Sequence, residues 1–192
     1  MTWKDITVEQ FLEIQKLKET NTEEDFAINV VSYLFNCDAD KIPISDYLYK
    51  IKELEFLANN FKEKKVQKEY IINNRKYQLV YSLDEITTAM YFDFANYAKE
   101  KDNMVDVLSI VLIPSNHKYS DGYNMEQTKA DIRSMPIEDA NAIYAFFLRI
   151  YQRFVKVLTK YMMRQLKMTK EITTEEKTNL INQLKILMES CR

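Results

Sequence analysis

A single glycine and three prolines in 192 residues restrict this chain more than any other feature. Average usage would supply about 13 glycines and about 10 prolines. Tight turns draw on both residues, because glycine permits positive φ and proline presets φ near −65°. A β-sandwich, a barrel or a glycine-rich nucleotide fold needs many such turns. Long helices joined by short connections need few. The chain is therefore expected to be mainly α, and its length suits one or two domains with a real core.

The periodicity agrees. Thr7 with Gln10 has the form of a capping box, and Phe11, Leu12, Ile14 and Leu17 supply an apolar face to about residue 19. A second helix is expected from Thr22, with Glu23, Glu24 and Asp25 set at the positive end of its dipole and Phe26, Val30, Val31, Leu34 and Phe35 following. Pro43 opens a third, with Leu48, Ile51, Leu54, Phe56 and Leu57 on its buried side. The period then changes. Tyr70-Ile71-Ile72, Asn73-Asn74 and Lys76 to Tyr81 read as a β-hairpin, since Asn tolerates the positive φ of a two-residue turn and Tyr77, Leu79 and Tyr81 alternate onto one face. An isolated hairpin is marginal, so this one must lie against helices or pair with a neighbouring subunit's strand.

Helices resume from Thr87 to about Lys101 and from Met104 to Ile113, before a polar loop, Pro114 to Asn124, with the only Gly (Gly122) and the only His (His117). A short helix from Glu126 to Arg133 leads to Pro136, after which helical periodicity runs unbroken to about Met168. Thr173 with Glu176 opens a last helix carrying Leu180, Ile181, Leu184, Leu187 and Met188.

Three blocks recur in order. Asp5-Ile6-Thr7 matches Glu85-Ile86-Thr87, Val31 to Phe35 matches Leu108 to Leu112, and Pro43-Ile44-Ser45-Asp46 matches Pro136-Ile137-Glu138-Asp139. Amphipathic helices resemble one another by chance, but the preserved order and the shared Pro-Ile-x-Asp favour a duplication. The expected organisation is a single helical body over residues 1–168, with repeat one at 1–66, the hairpin at 67–82 and repeat two at 83–168. Residues 169–192 form a C-terminal helix in this reading.

Enzymatic constellations are hard to find. One glycine cannot build a phosphate-binding loop, and one histidine makes any His-based triad or metal site depend on His117, which reads as part of a solvated loop. No catalytic residue, metal ligand or cofactor site is expected, and the chain is read as a non-enzyme. Cys37 and Cys191 fit no ligand spacing and read as reduced thiols. The longest uncharged apolar run, Val107 to Pro114, falls far short of the ~20 residues of a membrane span. With a polar start, a soluble protein of the cytosol or a virion is expected.

Charge is distributed unevenly. Residues 140–170 hold seven basic side chains and no acid, residues 171–192 carry −1, and the remaining 139 residues carry −8 of an overall −2. Arg149, Arg153, Lys156, Lys160, Arg164 and Lys167 step by three or four and so share one helix face. Ile143, Phe147, Ile150, Phe154, Val157, Leu158 and Tyr161 occupy a broad apolar face beside it. Such a stripe suits an ordinary solvated face, an acidic protein partner (a neighbouring copy included) or nucleic acid. Together with Tyr77, Leu79 and Tyr81 of the hairpin, these basic residues are the candidate interaction residues.

Several stretches carry a resemblance. Trp3-Lys4-Asp5-Ile6-Thr7 with Gln10-Phe11 resembles a group of small tailed-bacteriophage proteins encoded among head, connector and tail genes. So do the hairpin before Leu83 to Phe94, the loop from Ile113-Pro114 to Asp121-Gly122-Tyr123, and Pro136-Ile137 leading to Phe146-Phe147-Leu148. Such proteins occur in phages of gut Bacteroidetes, crAss-like phages among them. The resemblance covers about residues 1–165 and implies a tail-assembly or virion structural role without catalytic residues to carry over. The resulting expectation is a repeated ring subunit of the head–tail connector or tail, located in the virion and, during assembly, in the host cytoplasm. Its partners would be copies of itself and other connector or tail proteins, with nucleic acid at most secondary and no membrane. A tail-assembly chaperone for the tape-measure protein, absent from the mature particle, is the alternative.

Overall fold

A computed structural model describes residues 1–97, 103–168 and 178–182. It is mainly helical, with a small antiparallel sheet. A 3-10 turn at Trp3–Asp5 precedes α1 (Val8–Thr20), which Thr7 caps: its Oγ1 accepts from the Gln10 N–H at 3.2 Å while Gln10 Oε1 accepts from the Thr7 N–H at 2.9 Å. Helix α2 (Glu23–Phe35) starts on Thr22 and ends at Asn36, whose left-handed φ of 47° reverses the chain. Next come α3 (Ile44–Glu53), a 3-10 turn at Glu55–Ala58, and the strands β1 (Glu69–Ile72) and β2 (Arg75–Leu79). After a 3-10 turn at Leu83–Glu85 follow α4 (Thr88–Tyr97), α5 (Met104–Val111), β3 (Leu112–Pro114), α6 (Met125–Arg133) and α7 (Ile137–Met168). Residues 178–182 are helical.

The hairpin turns at Asn73 and Asn74, both at positive φ (48° and 61°), as a two-residue turn matched to strand twist requires. Its stabilising partner is β3, which the apolar run to Ile113 disguises as helix. Pro114 explains the switch: the residue before a proline is pushed out of the α region, so α5 stops at Val111 and the next three residues pair with β2 as an edge strand.

Two compact units result, one of Met1–Val80 with Thr87–Tyr144 and one of Tyr81–Ile86 with the chain from Ala145 onward. The division falls inside α7 and between Val80 and Tyr81. In the first unit α5 is buried along most of its length: Val107, Leu108, Ile110 and Val111 are fully buried, and its Asp106 pairs with Lys129 at 2.8 Å. Also in this unit, the Trp3 ring packs on Phe56 and Phe61, with ring centroids 5.0 and 4.6 Å away, and its Nε1–H donates to the Asn59 carbonyl. In the second unit Phe147, Ile150 and Val155 are buried, and the Tyr81 ring lies 5.1 Å from Phe146.

The first and third recurrent blocks share local geometry, whereas the middle pair differs, Val31 to Phe35 being helical throughout and Leu108 to Leu112 passing from α5 into β3. Thr87 receives the Met90 N–H on its Oγ1 as Thr7 receives that of Gln10. Pro43 and Pro136 each accept the N–H groups three and four residues ahead, at 3.0 to 3.1 Å. Their surroundings differ. Ile137 is fully buried, whereas Ile44 is 71% exposed and Leu48, expected on the buried side of α3, is 59% exposed. Helix α3 buries no residue of its own, because among the described residues no element covers that face. Helix α4 is described to Tyr97. Its expected continuation toward Lys101 lies outside the described residues, as do Thr173 with Glu176, Leu184, Leu187, Met188 and Cys191.

Candidate interaction surface

Helix α7 begins on Pro136 with Glu138 and Asp139 in its first turn, where the dipole favours acids. Lys64 pairs with Asp139 at 2.6 Å. With no glycine or proline beyond that point, nothing interrupts the hydrogen-bond ladder for 32 residues, about 48 Å at 1.5 Å per residue. Arg149, Arg153, Lys156, Lys160 and Arg164 are all exposed. Among the described residues none of the five is within ion-pair distance of a carboxylate. Lys167 is placed by its position on the last turn of α7, and Lys170 lies outside the described residues.

Beside the stripe runs a second regularity. Ile143, Phe147, Ile150, Phe154, Val157 and Tyr161 alternate steps of four and three, the spacing of a coiled-coil seam. Ile143, Phe147 and Ile150 are buried at 0%, 1% and 7% exposure, but Val157 and Tyr161 are 61% and 60% exposed. Burial instead rotates round the helix to Val155 and Thr159, both 1% exposed, which leaves this end of the seam on the open side. The apolar face was legible in the sequence; its heptad register was the overlooked signal, and its exposure at Val157 could not be read there at all.

The hairpin residues are used differently. Tyr77 and Leu79 are buried and serve the interior of the first unit rather than a partner-facing surface. Tyr81 is half-buried in the second unit. The hairpin's exposed apolar side chain is Ile71. What holds Tyr77 is a buried carboxylate that the sequence reading passed over. Asp131 of α6 accepts hydrogen bonds from the Tyr77 hydroxyl, Arg75 Nη1 (2.8 Å to each oxygen), Asn73 Nδ2 and Gln127 Nε2. Burial alone would raise the carboxyl pKa, but these donors outweigh it and hold the group below the ordinary value. The Tyr77 hydroxyl is pushed up to about 12, first by burial and then by its carboxylate partner. The available signal was a carboxylate on the apolar stripe of α6, directly before Ile132.

The loop with the single histidine is a tyrosine-rich structural turn. The Tyr119 hydroxyl donates to Asp93 and that of Tyr123 to the Ser109 carbonyl. Both hydroxyls are held above the ordinary tyrosine value, first by burial. Gly122 takes φ 73°, which a side chain would strain. His117 is exposed, with its ring 6.4 Å from that of Tyr123. Among the described residues no cluster of His, Cys, Asp and Glu is arranged to hold a metal ion, and no helix is long and apolar enough to cross a membrane. No family model, no curated protein and no solved structure matches the chain.

Proposed function

We propose that this chain is a non-enzymatic assembly protein of a tailed-phage virion, a repeated ring subunit of the head–tail connector or tail that acts through protein–protein contacts. The observation that carries this reading is the exposed face of α7, where five cations without a carboxylate neighbour among the described residues lie beside the exposed Val157 and Tyr161. A merely solvated face mixes charge signs, because like charges spaced three or four apart cost helix stability. It also does not expose adjacent apolar side chains that continue a buried seam. The resemblance of residues 1–165 to small head, connector and tail proteins supplies the biological setting. A protein partner suits the chain better than DNA, since its pI near 5.6 is far from the strongly basic balance of nucleic-acid-binding domains.

Quantitative mass spectrometry of purified particles from a phage encoding this chain tests the reading. The expected result is the chain at a fixed multiple per particle, as a ring demands. Recovery with the tape-measure protein from infected cells, and absence from finished particles, would make it a chaperone instead.

A further inference from the structure

The seam and stripe of α7 also define what can sit on them. Continuing the steps of four and three, the position after Tyr161 is Arg164, and Arg153 and Lys160 flank the seam one residue before Phe154 and Tyr161. Self-pairing of two α7 helices is therefore disfavoured in both directions. A parallel pair sets Arg164 against its own copy within the seam, and an antiparallel pair aligns the Arg153 and Lys160 flank with the same flank of the partner. A symmetric α7 dimer repels itself. The occupant must present acidic side chains beside an accessible apolar surface.

One surface of the described chain fits. Helices α1 and α2 together, residues 8–35, carry six carboxylates against two lysines. Glu9 and Glu13, one turn apart on α1, lie close enough to Tyr33 of α2 to raise its hydroxyl pKa further after burial has done so. The Tyr33 side chain itself is 40% exposed. Glu23 and Glu24 are exposed in the first turn of α2. This is an acidic, aromatic-bearing pair of helices, opposite in sign to α7.

From this complementarity we infer that the exposed half of the α7 seam docks on the α1–α2 surface of a second copy, head to tail. The inference rests on the ring-subunit reading and names the surface that reading requires. A heterologous contact of this kind repeats from copy to copy and closes when its rotation permits. The basic stripe steers and orients the encounter, while Val157 and Tyr161 add apolar burial.

A charge-swap pair tests it. Variant one carries Arg153→Glu, Lys156→Glu and Lys160→Glu; variant two carries Glu9→Lys, Glu13→Lys and Glu24→Lys. Five of the six side chains are exposed and Glu13, paired with Lys16 at 3.6 Å, is half-buried; circular dichroism checks that both variants fold. In sedimentation velocity at low salt the wild type should associate with rising concentration. Each variant alone should associate at least about tenfold more weakly, because one partner surface now repels the other. An equimolar mixture should recover association, since each variant's α7 then meets an opposite charge on the other's α1–α2 surface. Val157→Ser with Tyr161→Ser should weaken wild-type association without altering the thermal midpoint.

Wild-type association that survives in each variant alone, or no recovery on mixing, would overturn this docking surface while leaving the ring reading standing. A wild type that stays monomeric at all concentrations would remove both. So would a monomer whose α7 instead binds duplex DNA with an affinity that collapses with salt.

Discussion

Asp131 shows how one residue ties distant parts of the first unit together. Its carboxylate is 1% exposed yet accepts from side chains of the hairpin and from Gln127 one turn earlier on α6. Asp131→Ala should cost about 2–3 kcal/mol at neutral pH, because it orphans the buried Tyr77 hydroxyl. Tyr77→Phe should cost about 1–2 kcal/mol, since three other donors still serve the carboxylate. The native carboxyl titrates below its unfolded value of about 3.9. Its contribution is therefore complete above that value and is lost as the pH falls through the native pKa. Urea denaturation should accordingly show the gap between wild type and Asp131→Ala closing in strong acid. A gap that stays constant with pH would mean that the ionised form has no special role.

The two asparagines of the hairpin turn have different duties despite similar backbone angles. Asn73 donates from its side chain to Asp131 and Ser134, whereas no side-chain hydrogen bond is seen for Asn74 among the described residues. Asn74→Gly should therefore leave stability within about 0.5 kcal/mol of wild type, as a compatible turn substitution. Asn73→Gly should cost about 1–2 kcal/mol through its lost hydrogen bonds. Asn74→Val should cost about 1–2 kcal/mol, because a β-branched residue resists left-handed φ. Equal costs for the two glycine substitutions, measured by chemical denaturation, would refute this division. At the start of α1, Thr7→Ala should remove about 1 kcal/mol by breaking the capping box.

At the scale of the whole molecule, the two Pro-Ile helix starts make a matched comparison. Ile137→Ala should cost about 2–4 kcal/mol, because the side chain is fully buried and leaves a cavity. Ile44→Ala should change stability by less than about 0.5 kcal/mol, because the same residue in the same local motif faces solvent. Thermal unfolding of the two variants measures the difference directly. Comparable losses would imply that α3 is covered in solution, which would make Ile44 and Leu48 a second contact surface.

Local physics was readable from the chain alone. The scarcity of glycine and proline predicted helices, and Thr7, Thr22 and Pro136 predicted where they begin. Asn73-Asn74 predicted the turn, and the unbroken run after Pro136 predicted the reach of α7. Each of these is decided by a few adjacent residues whose backbone preferences agree. The tertiary structure decided the rest. Strand β3 exists because β2 offers an edge to residues that Pro114 had already turned from helix. Tyr77 faces inward because Asp131, 54 positions away, completes its hydrogen bond. Ile44 and Ile137 share a motif and differ in fate, since burial depends on which other elements arrive and not on the residue itself. The same holds for the α7 seam: its periodicity is a property of the sequence, but which side of the helix is covered at each level is a property of the fold.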